Sequence, residues 1–205
     1  MTAVQPRRRL GPEVRRAEIL EAAAALIAVR GFNGVTLAEI ADACGMTNPG
    51  LLHYFSSKTE LLIAVLNRRD ALDHEWVDLG IVPDRVEPDR GHAPMTSDEI
   101  RAESRAALTR LVERNKDQRE LVRLYTVLSA EALDPTHPAH DYFDQRLANS
   151  RRGLAAILAG WHSKPDECAV QILSFMDGVQ LNWLRDPSID LLAEWNRFAD
   201  MLFAD

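Results

Sequence analysis

The stretch TLAEIADACGMTNPGLLHYF, residues 36–55, restricts the possible folds of this chain more than any other. Thr36 is placed to cap a helix through its side-chain oxygen, and Glu39 stands three residues on, where it reaches back to the Thr36 amide in a capping box. Leu37, Ile40, Ala41 and Cys44 then fall on one face of a 3.6-residue period. Gly45 supplies the stop, because glycine enters the left-handed region without steric cost. A residue before proline avoids the helical region, so Asn48 is expected as the N-cap of a second short helix and Pro49 as its first helical residue. Leu51, Leu52 and Phe55 are its expected apolar contacts. Two helices joined by a glycine-containing turn make a helix-turn-helix, whose second helix enters the DNA major groove.

The flanking sequence builds a bundle around this motif. From Glu13 to Arg30 the series Leu20, Ala23, Ala24 and Ile27 has helical spacing, and Gly31 ends it. Phe32 and Val35 are expected to anchor the next loop in the core. Ser57 and Glu60 repeat the capping-box spacing and start a long helix through Leu62, Val65, Leu66, Leu72 and Trp76, which closes the core of the first three helices and runs on into a second domain. Lys58 lies in the first turn of that helix, where it meets a phosphate or is simply solvated. Arg7, Arg8 and Arg9 precede Gly11 and Pro12 on an arm that follows phosphates, enters the minor groove, or is a solvated terminus.

Beyond a Pro- and Gly-containing loop over Val82–Met95, the sequence reads as helices. Thr96 with Glu99 opens one, Asp117 is expected to cap the next, and another runs from about Pro138 to Trp161. Pro165 with Asp166 and Glu167 starts a further helix, and Ser188 is expected to cap the last. The fold class is therefore all-α: an N-terminal three-helix domain over residues 1–56, joined by a connector helix to a helical domain over 57–205.

The overall net charge of −7 looks wrong for a DNA-binding protein until it is divided by position. Residues 1–69 carry nine Lys or Arg against six Asp or Glu, a net of +3, and residues 70–205 carry fifteen against twenty-five, a net of −10. The positive charge accompanies the motif, as in a nucleic-acid module joined to an acidic domain with another task. Cys44 and Cys168 form neither a metal nor a disulfide pattern and are expected as small core residues. His137, His140 and Asp141 have the composition of a metal site, yet Pro135 and Pro138 place them around a helix start, where capping is their expected role. No apolar run is long enough for a membrane span, and the opening MTAVQPRRRL has no signal-peptide segment, so a cytoplasmic protein with no membrane partner is expected. No nucleophile, base and orienting group stand together, and no glycine-rich phosphate loop is present; neither an enzyme nor a cofactor is expected.

Residues 15–62, with ILEAA, GF, TLAEIA, GMT, HYF and SK at their respective spacings, resemble the TetR family of bacterial transcription regulators. The resemblance implies a homodimeric repressor that binds a palindromic double-stranded DNA operator and is released by a small-molecule ligand in the second domain. The open alternative is a constitutive or protein-partner-regulated DNA-binding dimer. By position, Thr36, Thr47, Asn48, Gly50, His53, Tyr54 and Lys58 look like the family's DNA-contacting set. The chain departs from the family in having Leu52 where an aromatic is frequent and Gly50 where a polar side chain is frequent.

The chemistry of these side chains narrows the readout. No Arg lies between Thr36 and Phe55, so the bidentate arginine–guanine contact is unavailable to this helix. Asn48 can address adenine, and Thr47 and the leucines can meet a thymine methyl. Thr47 and Asn48 are equally suited to capping. His53 and Tyr54 are placed to donate to phosphate or to pack on the first helix. In the second domain Trp76, Leu108, Leu111, Tyr125, Leu128, Phe143, Leu147, Phe175 and Trp183 are candidates to line a pocket, with Tyr125 and Gln180 as its polar groups, or to be core. The helices near 138–161 and 165–185 are expected to form the dimer as a four-helix bundle. Its contacts would be Leu154, Ile157, Trp161, Ile172 and Gly178, the glycine either permitting close approach or relieving crowding within one subunit.

Overall fold

A computed structural model of the chain describes residues 11–76 and 95–204, and of residues 69–76 only the backbone. The arginine arm, residues 77–94, which include the expected loop up to residue 94, and the Leu72 and Trp76 side chains lie outside that description. Among the described residues there are α-helices and no strands: α1 Pro12–Arg30, α2 Leu37–Ala43, α3 Asn48–Leu52, α4 Lys58–Trp76, α5 Ser97–Asp117, α6 Arg119–Glu131, α7 His140–Leu158, α8 Pro165–Arg185 and α9 Leu191–Leu202. The all-helical fold is as expected. No described helix is long and apolar enough to cross a membrane.

Two apolar cores organise these helices. The first joins Ile19, Ile27, Phe32, Val35, Ile40, Leu51, Phe55, Leu61, Leu62 and Leu66 to Leu124 and Leu128 of α6. The second joins Leu108 and Val112 of α5 to Leu158, Ile172, Trp183, Leu191 and Trp195. Burial of each large side chain contributes about 1.5–3 kcal/mol. Exposed ion pairs such as Arg30–Glu39, at 2.7 Å, contribute about 0–1 kcal/mol, so apolar packing dominates. The first core does not stop at residue 56: it runs through α4 into α6, and α1 lies directly on α6. Phe32, 7% exposed, and Val35, 1% exposed, anchor the α1–α2 loop as expected.

Local signals placed most helix ends, and the departures have definite causes. Thr36 and Glu39 form the capping box of α2, and Thr96 with Glu99 forms that of α5. Gly31 at φ 73° and Gly45 at φ 61° occupy the left-handed region that a side chain disfavours. The N-cap of α3 is Thr47, not Asn48: the Thr47 hydroxyl accepts from Gly50 N at 3.2 Å, and Asn48 is already helical. At α4 the Ser57 hydroxyl accepts from Glu60 N, but the Glu60 carboxylate turns to the Ser56 amide and hydroxyl. Asp117 does not cap α6; α5 runs through it, and Gln118 is the junction between the two helices. Asp190, not Ser188, caps α9 by accepting from Leu192 N and Ala193 N, while Ser188 donates its hydroxyl to Asp186. In each case several polar residues adjoin the helix start, and the path of the incoming chain selects among them.

Candidate nucleic-acid interface

Helix α3 is five residues long, far below the length at which a helix persists alone. Three features hold it: the Thr47 cap, Leu51 and Phe55 at 0% exposure, and α2 packed alongside. Asn48 and Leu52, four residues apart, share its outer face, and both are exposed. Leu52 is therefore not an apolar contact of the core. At 40% exposure it stands where a reader of DNA would stand.

The other interface candidates divide by role. Thr36 is exposed at the start of α2, with its hydroxyl donating to Glu39 Oε2 at 2.8 Å. Hydrogen bonds from the Thr36 amide and hydroxyl, with Arg30 beside it, push the Glu39 carboxyl down to about 2. Thr47 is exposed and uses its oxygen as a cap acceptor, which leaves its proton free to donate. A Cβ on Gly50 would meet Thr47 Oγ1 at 3.2 Å and Met46 Cε at 3.5 Å, so crowding against the cap is a reason for glycine within the chain itself. His53 is exposed, with the half-buried Tyr54 ring 6.1 Å away and packed on the first core. Lys58 is drawn inward: its ammonium lies 4.3 Å from the centre of the Phe32 ring. Burial pushes its pKa down, with Glu131 and Glu39 opposing.

Two groups escaped the sequence reading. Arg16 of α1 lies over the Phe55 ring at 4.3 Å, adding exposed positive charge beside the motif. Glu131, ninety-nine residues further along the chain, accepts from Phe32 N at 2.7 Å. Neither contact has a local sequence signal, since both depend on helices meeting in space.

Among the described residues the pocket candidates are divided between the two cores. Leu128, Tyr125 and Phe143 belong to the first core, and Leu108, Phe175 and Trp183 to the second, where Phe175 stacks on Phe198 at 4.0 Å. Leu111 and Gln180 are half-buried, and Leu147 is 49% exposed on the outside of α7. Tyr125 faces the Tyr142 hydroxyl at 3.2 Å and carries Arg146 over its ring at 4.5 Å. A cavity of about 210 Å³ lies elsewhere, between α1, α4 and α6, lined by Leu20, Ala24, Val65, Leu121 and Leu124 with Glu21 and Arg68 among its polar groups. Of the expected dimer contacts, Ile172 is 1% exposed within its own subunit, and Trp161 is half-buried and stacks on Phe203. Leu154 and Ile157 are half-buried, and Gly178 faces open space. Around the α6–α7 turn, His137 Nδ1 accepts from Ala139 N and His140 Nδ1 pairs with Ala132 O, which gives both rings structural roles. Cys168 is buried and Cys44 half-buried, and burial pushes both thiols up.

An exposed short helix, α3, packed beside α2 on a three-helix head that α4 joins to an all-helical body, has the arrangement of a helix-turn-helix. Residues 19–65 match the model of the bacterial regulatory proteins, tetR family. This segment, from α1 to the middle of α4, is thus similar to the DNA-binding segment of the tetR family of bacterial regulatory proteins. Over 60 residues it is 43% identical to the HTH-type transcriptional activator FasR of Mycolicibacterium smegmatis, a match covering 29% of this chain and 27% of that one. Over 52 residues it is 44% identical to the HTH-type transcriptional repressor KstR2 of Mycobacterium tuberculosis, covering 25% and 26%. The match thus spans about a quarter of the length of these curated relatives. The crystal structure of AibR in complex with isovaleryl coenzyme A and operator DNA superposes with a TM-score of 0.64 at 27% identity, covering 92% of this chain and 98% of that one.

Proposed function

We propose that the protein is a homodimeric repressor that binds a palindromic operator through two copies of α3 and leaves it when a small molecule enters the helical body. The observation that carries this reading is the outward face of α3, where Asn48 and Leu52 are exposed on a helix otherwise pinned by Leu51, Phe55 and the Thr47 cap. Asn48 offers the amide that pairs with adenine, and Leu52 the apolar contact that suits a thymine methyl. Thr36, Thr47 and His53 supply donors for the flanking phosphates, and Tyr54 and Lys58 support the motif from behind. The name of KstR2 supports repression, and the AibR complex supports a body that admits a ligand. Dimer formation is assigned to the outer faces of α7 and α8, where Leu147, Val170 and Leu181 are exposed and Gly178 is open.

The test is selection of duplexes from a random library with the full chain. Paired inverted half-sites at one fixed separation are expected, and enrichment of unpaired sites or of nothing would overturn the reading. A thermal-shift series with isovaleryl coenzyme A and a panel of apolar acids tests the ligand: a compound that binds only the folded protein raises the melting temperature. A silent panel together with unchanged operator binding would favour a constitutive or partner-regulated dimer.

A further inference from the structure

The head and body meet at a clasp that packing alone does not require. Helix α6 ends at Glu131, and its carboxylate lies against the α1–α2 junction of the head. Oε2 accepts from Phe32 N at 2.7 Å, and Oε1 sits where a Cβ on Gly31 would come within 2.2 Å. Gly31 thus meets two demands, a left-handed φ of 73° and a bare Cα that lets the carboxylate in. The Phe32 ring is gripped from two more sides. His137 of the α6–α7 turn meets it edge-on at 5.2 Å, and Lys58 of α4 covers its face at 4.3 Å. His137 Nδ1 accepts from Ala139 N, so its hydrogen is on Nε2, which is buried without a hydrogen-bond partner 3.9 Å from Glu131 Oε2. The body's Glu131 carboxylate thus holds the Phe32 amide, while the ring of the same residue is held between His137 of the body and Lys58 of α4.

Apolar burial between α1 and α6 is non-directional and tolerates small slips. A charge-assisted hydrogen bond to a single amide does not, since it weakens steeply with distance and angle. We propose that Glu131 is a positioning residue that fixes the head against the body and thereby sets the half-site separation that the dimer accepts. The inference rests on the two-headed reading above. One added base pair moves a half-site by about 3.4 Å and about 35° around the helix axis, from the 10–10.5 base pairs per 34–36 Å turn. Shared between two heads, that is about 1.7 Å each, enough to carry a 2.7 Å contact beyond the about 3.2 Å limit of a good hydrogen bond. Accommodating a wrong separation therefore breaks the clasp in both subunits, and a protein without the clasp has nothing of this kind to break.

The experiment uses the full chain and duplexes carrying the selected half-site twice, at the selected separation and at one and two base pairs more or fewer. The wild type is expected to bind about tenfold or more weakly one base pair away from its optimum, whereas Glu131→Ala stays within about threefold across the same duplexes. Affinity for a duplex with a single half-site is expected to match the wild type within about twofold, because α3 is untouched. Glu131→Gln, which keeps the shape and an acceptor oxygen but loses the charge, is expected to lose part of the preference and fall between the two; it carries the test if the alanine variant fails to fold, and a glutamine protein with the full wild-type separation profile then overturns the inference. A Glu131→Ala protein that keeps the wild-type separation profile would overturn the inference. So would equal weakening at every separation and on the single half-site, which is what mere destabilisation produces. A wild type indifferent to separation would instead sink the two-headed reading, and the clasp's proposed role with it.

Discussion

Leu52 is 40% exposed, although Leu51 beside it is completely buried, and that contrast makes the leucine a place to test the proposed DNA readout. An apolar side chain on the outer face of a recognition helix gains most where it meets another apolar surface, and thymine is the base that presents a methyl group in the major groove. Removing one such methyl costs about 0.8 kcal/mol per half-site, or about fourfold in affinity. Uracil in place of the contacted thymine is therefore expected to weaken wild-type binding about fourfold per half-site, and Leu52→Ala binding by less than about twofold. Titration of both proteins on both duplexes checks this, and a wild type that does not distinguish thymine from uracil at any half-site position would show that Leu52 reads nothing. The exposure of Leu52 was not legible in the sequence, which made it an apolar contact of the helix. Periodicity places Leu51, Leu52 and Phe55 near one another, but a five-residue helix cannot show by its own pattern which of two adjacent leucines is core.

The capping box of α2 illustrates what an element takes from its first residue. The Thr36 amide, then its hydroxyl, and then Arg30 hold the Glu39 carboxyl down to about 2. A carboxyl whose folded pKa is depressed stabilises the fold fully above its ordinary pKa and loses that contribution as pH falls through the folded value. The window here runs from about 4.5 down to about 2. Thr36→Ala removes the hydroxyl and leaves the amide, so the Glu39 midpoint is expected to climb part of the way back, as carbon NMR of the side-chain carboxyl will report. The same change is expected to cost about 1 kcal/mol of stability at neutral pH through the lost N-cap. A midpoint unmoved in the variant would mean that the hydroxyl contributes nothing. This box was legible in the sequence because both of its partners lie within four residues. The clasp at Glu131 was not, because a carboxylate at the end of one helix carries no mark of the amide it meets ninety-nine positions away. Asn48 failed as a cap for a third reason: Thr47 next to it is also a cap residue, and the turn after Gly45 delivers Thr47 into place.

For the whole molecule, the order of helices followed from caps and apolar spacing, while their partners did not. Leu108 and Leu128 look alike in sequence, yet they lie in different cores, so a pocket read from apolar residues alone gathers members of both. The same limit applied to the dimer: Ile172 and Gly178 both lie on α8, yet one faces inward and the other outward. That outward glycine gives a clean test of assembly. A Cβ at Gly178 meets nothing within 4 Å inside the subunit, and replacing a helical glycine removes a penalty of about 1 kcal/mol relative to alanine. Gly178→Lys is therefore expected to leave the melting of the isolated subunit unchanged or slightly raised. If the faces of α7 and α8 pair across a two-fold axis, each subunit brings a long charged side chain into the seam, where it must be accommodated. Sedimentation of the variant at micromolar concentration is then expected to show monomer where the wild type shows dimer, and affinity for the paired operator to fall toward that for a single half-site. A Gly178→Lys protein that remains dimeric would place the interface on another face, because nothing within the subunit shields that position.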